Sequence, residues 1–133
     1  MILNTISGRQ ARSSGNVTVS GKHMSKPLMQ KIGFVPQENE FFSRLTLWDT
    51  LYFTAMLRIP ECIPKDEKLK RVNDVIDMFD LRKCVNTVMG DMFIRGLSGG
   101  EKKRAGIACE LLTDPNILLV DIVKIKKWEE QDR

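Results

Sequence analysis

The chain has 133 residues, of which 42% are hydrophobic, 29% charged and 7% aromatic. This composition excludes disordered, collagen-like and membrane-spanning classes and sets a ceiling of one domain. Twenty-one Lys and Arg against 17 Asp and Glu give a net charge of +4, but the charges are interspersed and lack interleaved aromatics, so no nucleic-acid partner is expected.

Asn4 to Gly8 reads as the tail of a helix, and Ser13 to Asn16 carries turn chemistry. Val17 and Val19 then alternate with Thr18 and Ser20 ahead of Gly21, which predicts a short, half-buried strand closed by a turn. His23 follows as a solvated turn residue. A second strand is predicted at Ile32-Gly33-Phe34-Val35, ended by Pro36, which has no N–H to give to a ladder. Gln37 falls at that strand end.

Thr46 and Asp49 stand three apart ahead of Leu51, Ala55 and Met56, the spacing of a capping box that opens an amphipathic helix stopped by Pro60. Cys62 to Pro64 is a linker. From Lys65 to Leu81, Leu69, Val72, Val75, Ile76 and Phe79 recur at helical spacing, with Lys, Arg and Asp on the other face. Ser98 and Glu101 repeat the capping-box spacing at the head of a run through Leu112, which Asp114-Pro115 ends. Ile117-Leu118-Leu119-Val120 is an apolar run ending in Asp121, the pattern of a buried parallel strand with a carboxylate at its carboxyl end. The longest apolar stretch, Ile117 to Val123, is broken by Asp121 and falls well short of the about 20 residues a membrane-spanning helix needs. Cys62, Cys84 and Cys109 are odd in number and widely spaced, with no disulfide framework or CxxC metal spacing, and are expected as linker or small core residues in a reducing, cytosolic setting. Helices alternating with strands predict an α/β fold.

Ser98-Gly99-Gly100 at a helix start is chemically suggestive, because unpaired N–H groups and the positive end of the helix dipole attract an anion, and two glycines let a phosphate approach. A plain helix cap satisfies the same residues. The surrounding sequence adds to this: LSGGEKKR at Leu97 to Arg104 is followed by ILLVD at Ile117 to Asp121.

In these residues the chain resembles the nucleotide-binding domain of ATP-binding-cassette transporters, with LSGGE as the signature motif and ILLVD as the Walker B strand. VPQEN around Gln37 is similar to the Q-loop, and LTLWDTLYFTAMLRIP, Leu45 to Pro60, to the helical subdomain that follows it. CVNTVMGD before RGLSGGEKKRAGIACELLTDPNILLVD resembles the G subfamily of white/brown-type half transporters. The resemblance runs collinearly over residues 1–121, leaves 122–133 as an unrelated tail, and implies a partial P-loop NTPase cassette: parallel-sheet core strands plus a helical signature subdomain.

The resemblance also implies roles. Leu97, Ser98, Gly99, Gly100 and Glu101 would bind ATP, capping the γ-phosphate of a nucleotide held on a second nucleotide-binding domain in a head-to-tail dimer. Gln37 would sense Mg²⁺ and the attacking water and relay their state to the transmembrane domain of a half transporter. Asp121 would hold Mg²⁺. The implied location is the cytosolic face of a membrane, and the implied family activity is ATP-driven export of lipids or other hydrophobic compounds.

Four family elements have no counterpart: the Walker A loop, the catalytic Glu, the D-loop and the switch histidine, which His23 cannot replace because it precedes Gln37. No GxxxxGK[ST] string occurs in the 133 residues; Gly21-Lys22 is followed by His23, where a Mg²⁺-binding hydroxyl is required. The resemblance places Leu3-Asn4-Thr5 on the helix that a Walker A loop begins. The residue after the Walker B Asp, where the family places its catalytic Glu, is Ile122. The expectation is therefore a cassette lacking both ends, inactive alone, or alternatively a non-catalytic interaction module that pairs with or blocks an intact cassette. Ile117 to Val120 is expected to present an open strand edge, with the helical segment from Leu45 to Leu112 the more robust part.

Overall fold

A computed structural model describes residues 2–8, 10–11, 14–36, 38 and 40–121. The expectations for Gln37, Ile122, the 122–133 tail and Ser13 lie outside these residues. The chain divides into two compact units, one built from the segments before residue 38 and after residue 114, the other being Glu38–Asp114.

The first unit is α/β. Helix α1 (Ile2–Ile6) closes on Gly8, whose φ of 77° is a left-handed position that suits glycine. Strands β1 (Thr18–Val19) and β2 (Lys22–His23) form an antiparallel hairpin. Its two loop residues, Ser20 at φ 50° and Gly21 at φ 77°, both lie in the left-handed region that a two-residue hairpin turn of the I′ kind demands. His23 is thus an exposed strand residue and not a turn residue, because the turn is complete at Gly21, two residues earlier. Helix α2 (Lys26–Met29) places Pro27 in its first turn, where a missing N–H costs nothing.

Strand β3 (Ile32–Val35) pairs in parallel with β4 (Ile117–Val120), in a register that sets Ile32 against Ile117 and Val35 against Val120. The Asn116 N–H donates to the Lys31 carbonyl at 2.8 Å and the Asp121 N–H to the Val35 carbonyl at 3.0 Å, so the ladder is bonded beyond both ends. Gly33 sits at the close approach: a Cβ there would lie 3.0 Å from Leu118 Cδ1 and 3.2 Å from Pro115 Cγ. Phe34 and Val35 are buried. All four β4 residues are only partly buried, contrary to the expectation of a buried strand, since β3 is the one strand paired with β4 among the described residues.

The second unit is helical. In α3 (Leu47–Arg58) the capping box is formed as the spacing predicts, with the Asp49 N–H donating to Thr46 Oγ1 at 3.1 Å and the Thr46 N–H to Asp49 Oδ2 at 3.4 Å. Leu47, Leu51, Ala55 and Ile59 recur every fourth residue on one face, and all are buried. Against them pack Val72, Val75 and Ile76 of α4 (Lys65–Met78) and Ala105, Ala108 and Cys109 of α5 (Gly99–Leu111), with Leu81, Met89, Leu97 and Leu112 closing the core. Truncating one such leucine to alanine removes about 2–5 kcal/mol, because the cavity left behind only partly collapses.

Helix α4 is shorter than its apolar spacing predicts. Asp80, at φ 52°, turns the chain out of the helix, with Leu81 N–H donating to Ile76 O at 2.9 Å and Asp80 N–H to Asp77 O at 3.2 Å. Lys68 also departs from expectation: it is buried, and its ammonium donates to the carbonyl of Ile59 at 3.1 Å, where α3 has ended and its carbonyls lack helical donors. After a 3₁₀ turn at Arg82–Cys84, the chain bonds back to the start of α3. Trp48 N–H donates to Val85 O, Leu47 N–H to Thr87 O and Met89 N–H to Leu45 O, at 2.9, 3.0 and 2.8 Å.

Candidate nucleotide-binding site

The candidate site residues fall into two groups, one in each unit. In the first unit the parallel register brings the carboxyl ends of β3 and β4 to the same end of the sheet. Asp121 leaves β4 there, and Pro36, the residue before Gln37, leaves β3 beside it. Ligands of open α/β sheets bind at the carboxyl ends of the strands, so the topology places Asp121 where a carboxylate can serve a ligand. A single carboxylate is a suitable Mg²⁺ holder when nucleotide phosphates and water complete the shell.

In the second unit, Ser98 is the N-cap of α5, at φ −64° and ψ 163°, with Gly99 and Gly100 as the first two helical residues. The Glu101 N–H donates to Ser98 Oγ at 3.2 Å, and the Ser98 N–H donates to Glu101 Oε1 at 3.1 Å. This reciprocal box leaves Gly99 and Gly100 as first-turn donors with no helical carbonyl behind them. Ser98 and Gly99 are exposed, and a Cβ on Gly99 would meet no atom within 4 Å, so there is open space beside Gly99. Hydrogen bonds from Ser98, its hydroxyl first and its N–H second, hold the Glu101 carboxyl below its ordinary range; the Cys84 thiol and the Arg104 charge act in the same direction. Ionised, Glu101 is the stronger acceptor for the Ser98 N–H. Leu97 differs from its neighbours in the motif: it is buried in the helical core and its N–H donates to Val88 O at 3.2 Å, so it anchors the helix start while Ser98 to Glu101 form the accessible face.

The segment that leads into the signature is tightly built. Gly90 has φ 73°, and Gly90 and Gly96 touch backbone to backbone: a Cβ on Gly90 would lie 2.6 Å from the Ile94 carbonyl oxygen and 2.7 Å from Gly96 Cα. Asp91 Oδ1 accepts from the N–H groups of Phe93 and Ile94, both at 2.8 Å. Those two bonds, Ile94 first, hold the Asp91 carboxyl below its ordinary range. Two cations of LSGGEKKR also bond to main-chain carbonyls outside α5, Lys102 to Gly90 and Arg104 to Phe79. Helical periodicity gives these two residues no role; the paired glycines flanking Asp91 and Arg95 are the only local sign of the tight loop.

The profile of the ABC transporter family matches residues 1–122. The chain is 40% identical over 121 residues to ABC transporter G family member 14 of Arabidopsis thaliana, covering 90% of this chain and 19% of that protein. It is 39% identical over 124 residues to ATP-binding cassette sub-family G member 8 of Homo sapiens, covering 90% of this chain and 18% of the relative. The chain thus spans about a fifth of the length of the curated relatives it matches. Among solved structures it is similar to cbiO1 from Clostridium perfringens, described as part of the ABC transporter complex cbiONQ, with a TM-score of 0.69 and 25% identity over 90% of this chain and 47% of that one.

Proposed function

Because the chain belongs to the ABC transporter family, with G-family members among its relatives, we propose that its signature helix supplies the capping half of an ATP site whose phosphate-holding half lies on a second nucleotide-binding domain, arranged head to tail. The observation that carries this reading is the start of α5: an exposed Ser98, a Gly99 with open space beside it, and first-turn N–H groups at the positive end of a helix dipole. Ser98, Gly99 and Gly100 bind the γ-phosphate, and Glu101 fixes the serine through the capping box. Asp121, at the carboxyl end of β4, holds Mg²⁺ together with the phosphates, and Gln37 senses the metal and the attacking water. In the whole transporter this assembly lies on the cytosolic face of a membrane, against the transmembrane domain of a half transporter, and drives export of lipids or other hydrophobic compounds. Residues 1–121 carry the cassette portion, with 122–133 as an appended tail.

The 133-residue polypeptide by itself is a capping partner and not a catalyst. It contains no GxxxxGK[ST] string to hold the β- and γ-phosphates, and Ile122 follows Asp121 where the family's general base stands. This favours a second reading for the isolated polypeptide, an interaction module that lends its signature to, or occupies, an intact cassette. The test is a pull-down with a nucleotide-binding domain that carries a P-loop. Recovery should require MgATP and vanish for Ser98→Arg, whose side chain fills the phosphate position. Equal recovery of wild type and variant removes the signature from the interface. Phosphate release by the polypeptide alone, abolished by Asp121→Ala, overturns its inactivity.

A further inference from the structure

Lys102 is the fourth helical residue of α5, counted from the Ser98 cap. A cation in the first turn opposes the helix dipole and gains nothing from its own helix. Its ammonium bonds elsewhere, donating to the main-chain carbonyl of Gly90 at 3.0 Å. The loop carrying that carbonyl is fixed by its own bonds. The Gly90 N–H donates to Ser43 O at 2.9 Å and the Met89 N–H to Leu45 O at 2.8 Å. Within the loop the Asp91 N–H donates to Ile94 O at 2.9 Å, and the Gly90 and Gly96 backbones are in contact. The loop is therefore a stiff block, attached by its backbone to Ser43–Leu45 and reached from α5 by the Lys102 side chain. On the same stretch of α5, Arg104 donates to Phe79 O at 2.8 Å.

We propose that Lys102 is a positioning residue for the signature: by clamping the first turn of α5 to the Gly90 carbonyl, it sets the direction in which the N–H groups of Gly99 and Gly100 and the hydroxyl of Ser98 point. The proposal rests on the reading of α5 as the phosphate-capping helix. A direct attraction of the Lys102 charge for phosphate through solvent would be weakened by salt, whereas an orientation fixed through a carbonyl is not. The arrangement also ties the signature to the segment that begins α3, so a displacement of Ser43–Leu45 reaches Ser98 through two hydrogen bonds and a rigid loop.

The test compares the ¹⁵N-labelled 133-residue chain with Lys102→Met and Lys102→Arg. Without nucleotide, Lys102→Met should move the amide resonances of Ser98, Gly99, Gly100 and Asp91 while those of Ala105 to Cys109 stay in place, and Lys102→Arg, which can still donate to the carbonyl, should return them. With MgATP and a nucleotide-binding domain carrying a P-loop, Lys102→Met should weaken association about tenfold, as expected if the released helix start holds the binding orientation about a tenth of the time, and by the same factor at low and high ionic strength. Lys102→Arg should restore it. Unmoved signature amides in Lys102→Met, or an affinity loss that disappears at high salt, overturn the proposal. Should Lys102→Met unfold the helical unit, Lys102→Gln, whose amide can also donate to Gly90, takes its place: retained association supports the clamp, and weakened association with unmoved amides refutes it. If the wild-type chain shows no ATP-dependent association, the capping reading falls, and the amide resonances alone still decide whether Lys102 orients the helix start.

Discussion

The guanidinium of Arg104 donates through Nη1 at 2.8 Å to the main-chain carbonyl of Phe79, the residue that caps the end of α4. Helix α4 carries no basic residue in its own last turn, and its terminal carbonyls lack helical donors. Arg104 thus supplies from α5 the cation that α4 lacks. Replacing it with methionine keeps much of the apolar stem and removes the bond. Arg104→Met should lower the unfolding free energy by about 2 kcal/mol, read as an earlier urea midpoint by helical circular dichroism at unchanged slope. Lysine at the same position should recover part of the loss.

Acid should loosen the helical unit through its capping carboxylates. Glu101 and Asp91 both have carboxyl groups held below their ordinary values of 4.5 and 3.8, Glu101 by Ser98 and Asp91 by the N–H groups of Ile94 and Phe93. A carboxyl that is more acidic folded than unfolded contributes stability in full above its unfolded value, and that stability drains away as pH falls through the depressed folded value. The urea midpoint should therefore be level from neutrality to about pH 5 and fall toward pH 3. Glu101→Gln should flatten that fall, since its amide oxygen still accepts from Ser98 but no longer titrates. A wild-type midpoint that rises on acidification contradicts the assignment.

The three cysteines should react in order of exposure. Cys62 is exposed, Cys84 half-buried and Cys109 buried. Burial pushes the Cys109 thiol up to about 11, and burial together with the adjacent Glu101 carboxylate raises that of Cys84. Alkylation proceeds through the thiolate. Mass spectrometry after iodoacetamide at mildly alkaline pH should show the first adduct at Cys62, a slower one at Cys84, and Cys109 modified only after unfolding. Native-state modification of Cys109 ahead of Cys84 would place the core of α3 and α5 in doubt.

The capped and periodic parts of the fold were legible in the sequence. Both capping boxes, Thr46 with Asp49 and Ser98 with Glu101, form as spaced, because the pairing is local and each serine or threonine satisfies a donor three residues away. The parallel pairing of Ile32–Val35 with Ile117–Val120 agrees with two apolar runs that end in Pro36 and Asp121. Tertiary bonds from charged side chains to main-chain carbonyls were not legible. Lys68, Lys102 and Arg104 look like solvated surface charges in any periodic reading, yet each ends on a carbonyl made available by the termination of another element or by a turn. His23 falls outside the turn that Gly21 marks, because with Ser20 and Gly21 both left-handed the turn takes only two residues and the chain pairs again from Lys22. For the site, the residue types at the start of α5 were readable, and the loop that orients them was not.

The register of β3 against β4 has a kinetic consequence. Ile32 pairs with Ile117, so closing this ladder requires the chain to bring together two strands separated by the whole of α3, α4 and α5. Pairings that distant in sequence carry a loop-closure penalty and are formed late. The three helices make their contacts over shorter separations and bury their own core. The molecule is therefore expected to assemble from the inside of its sequence outward: the helical segment should condense first and shorten the effective loop, after which the parallel ladder can zip. A slow refolding phase should then report on the ladder and not on the helices, and lesions in the helical core should delay both.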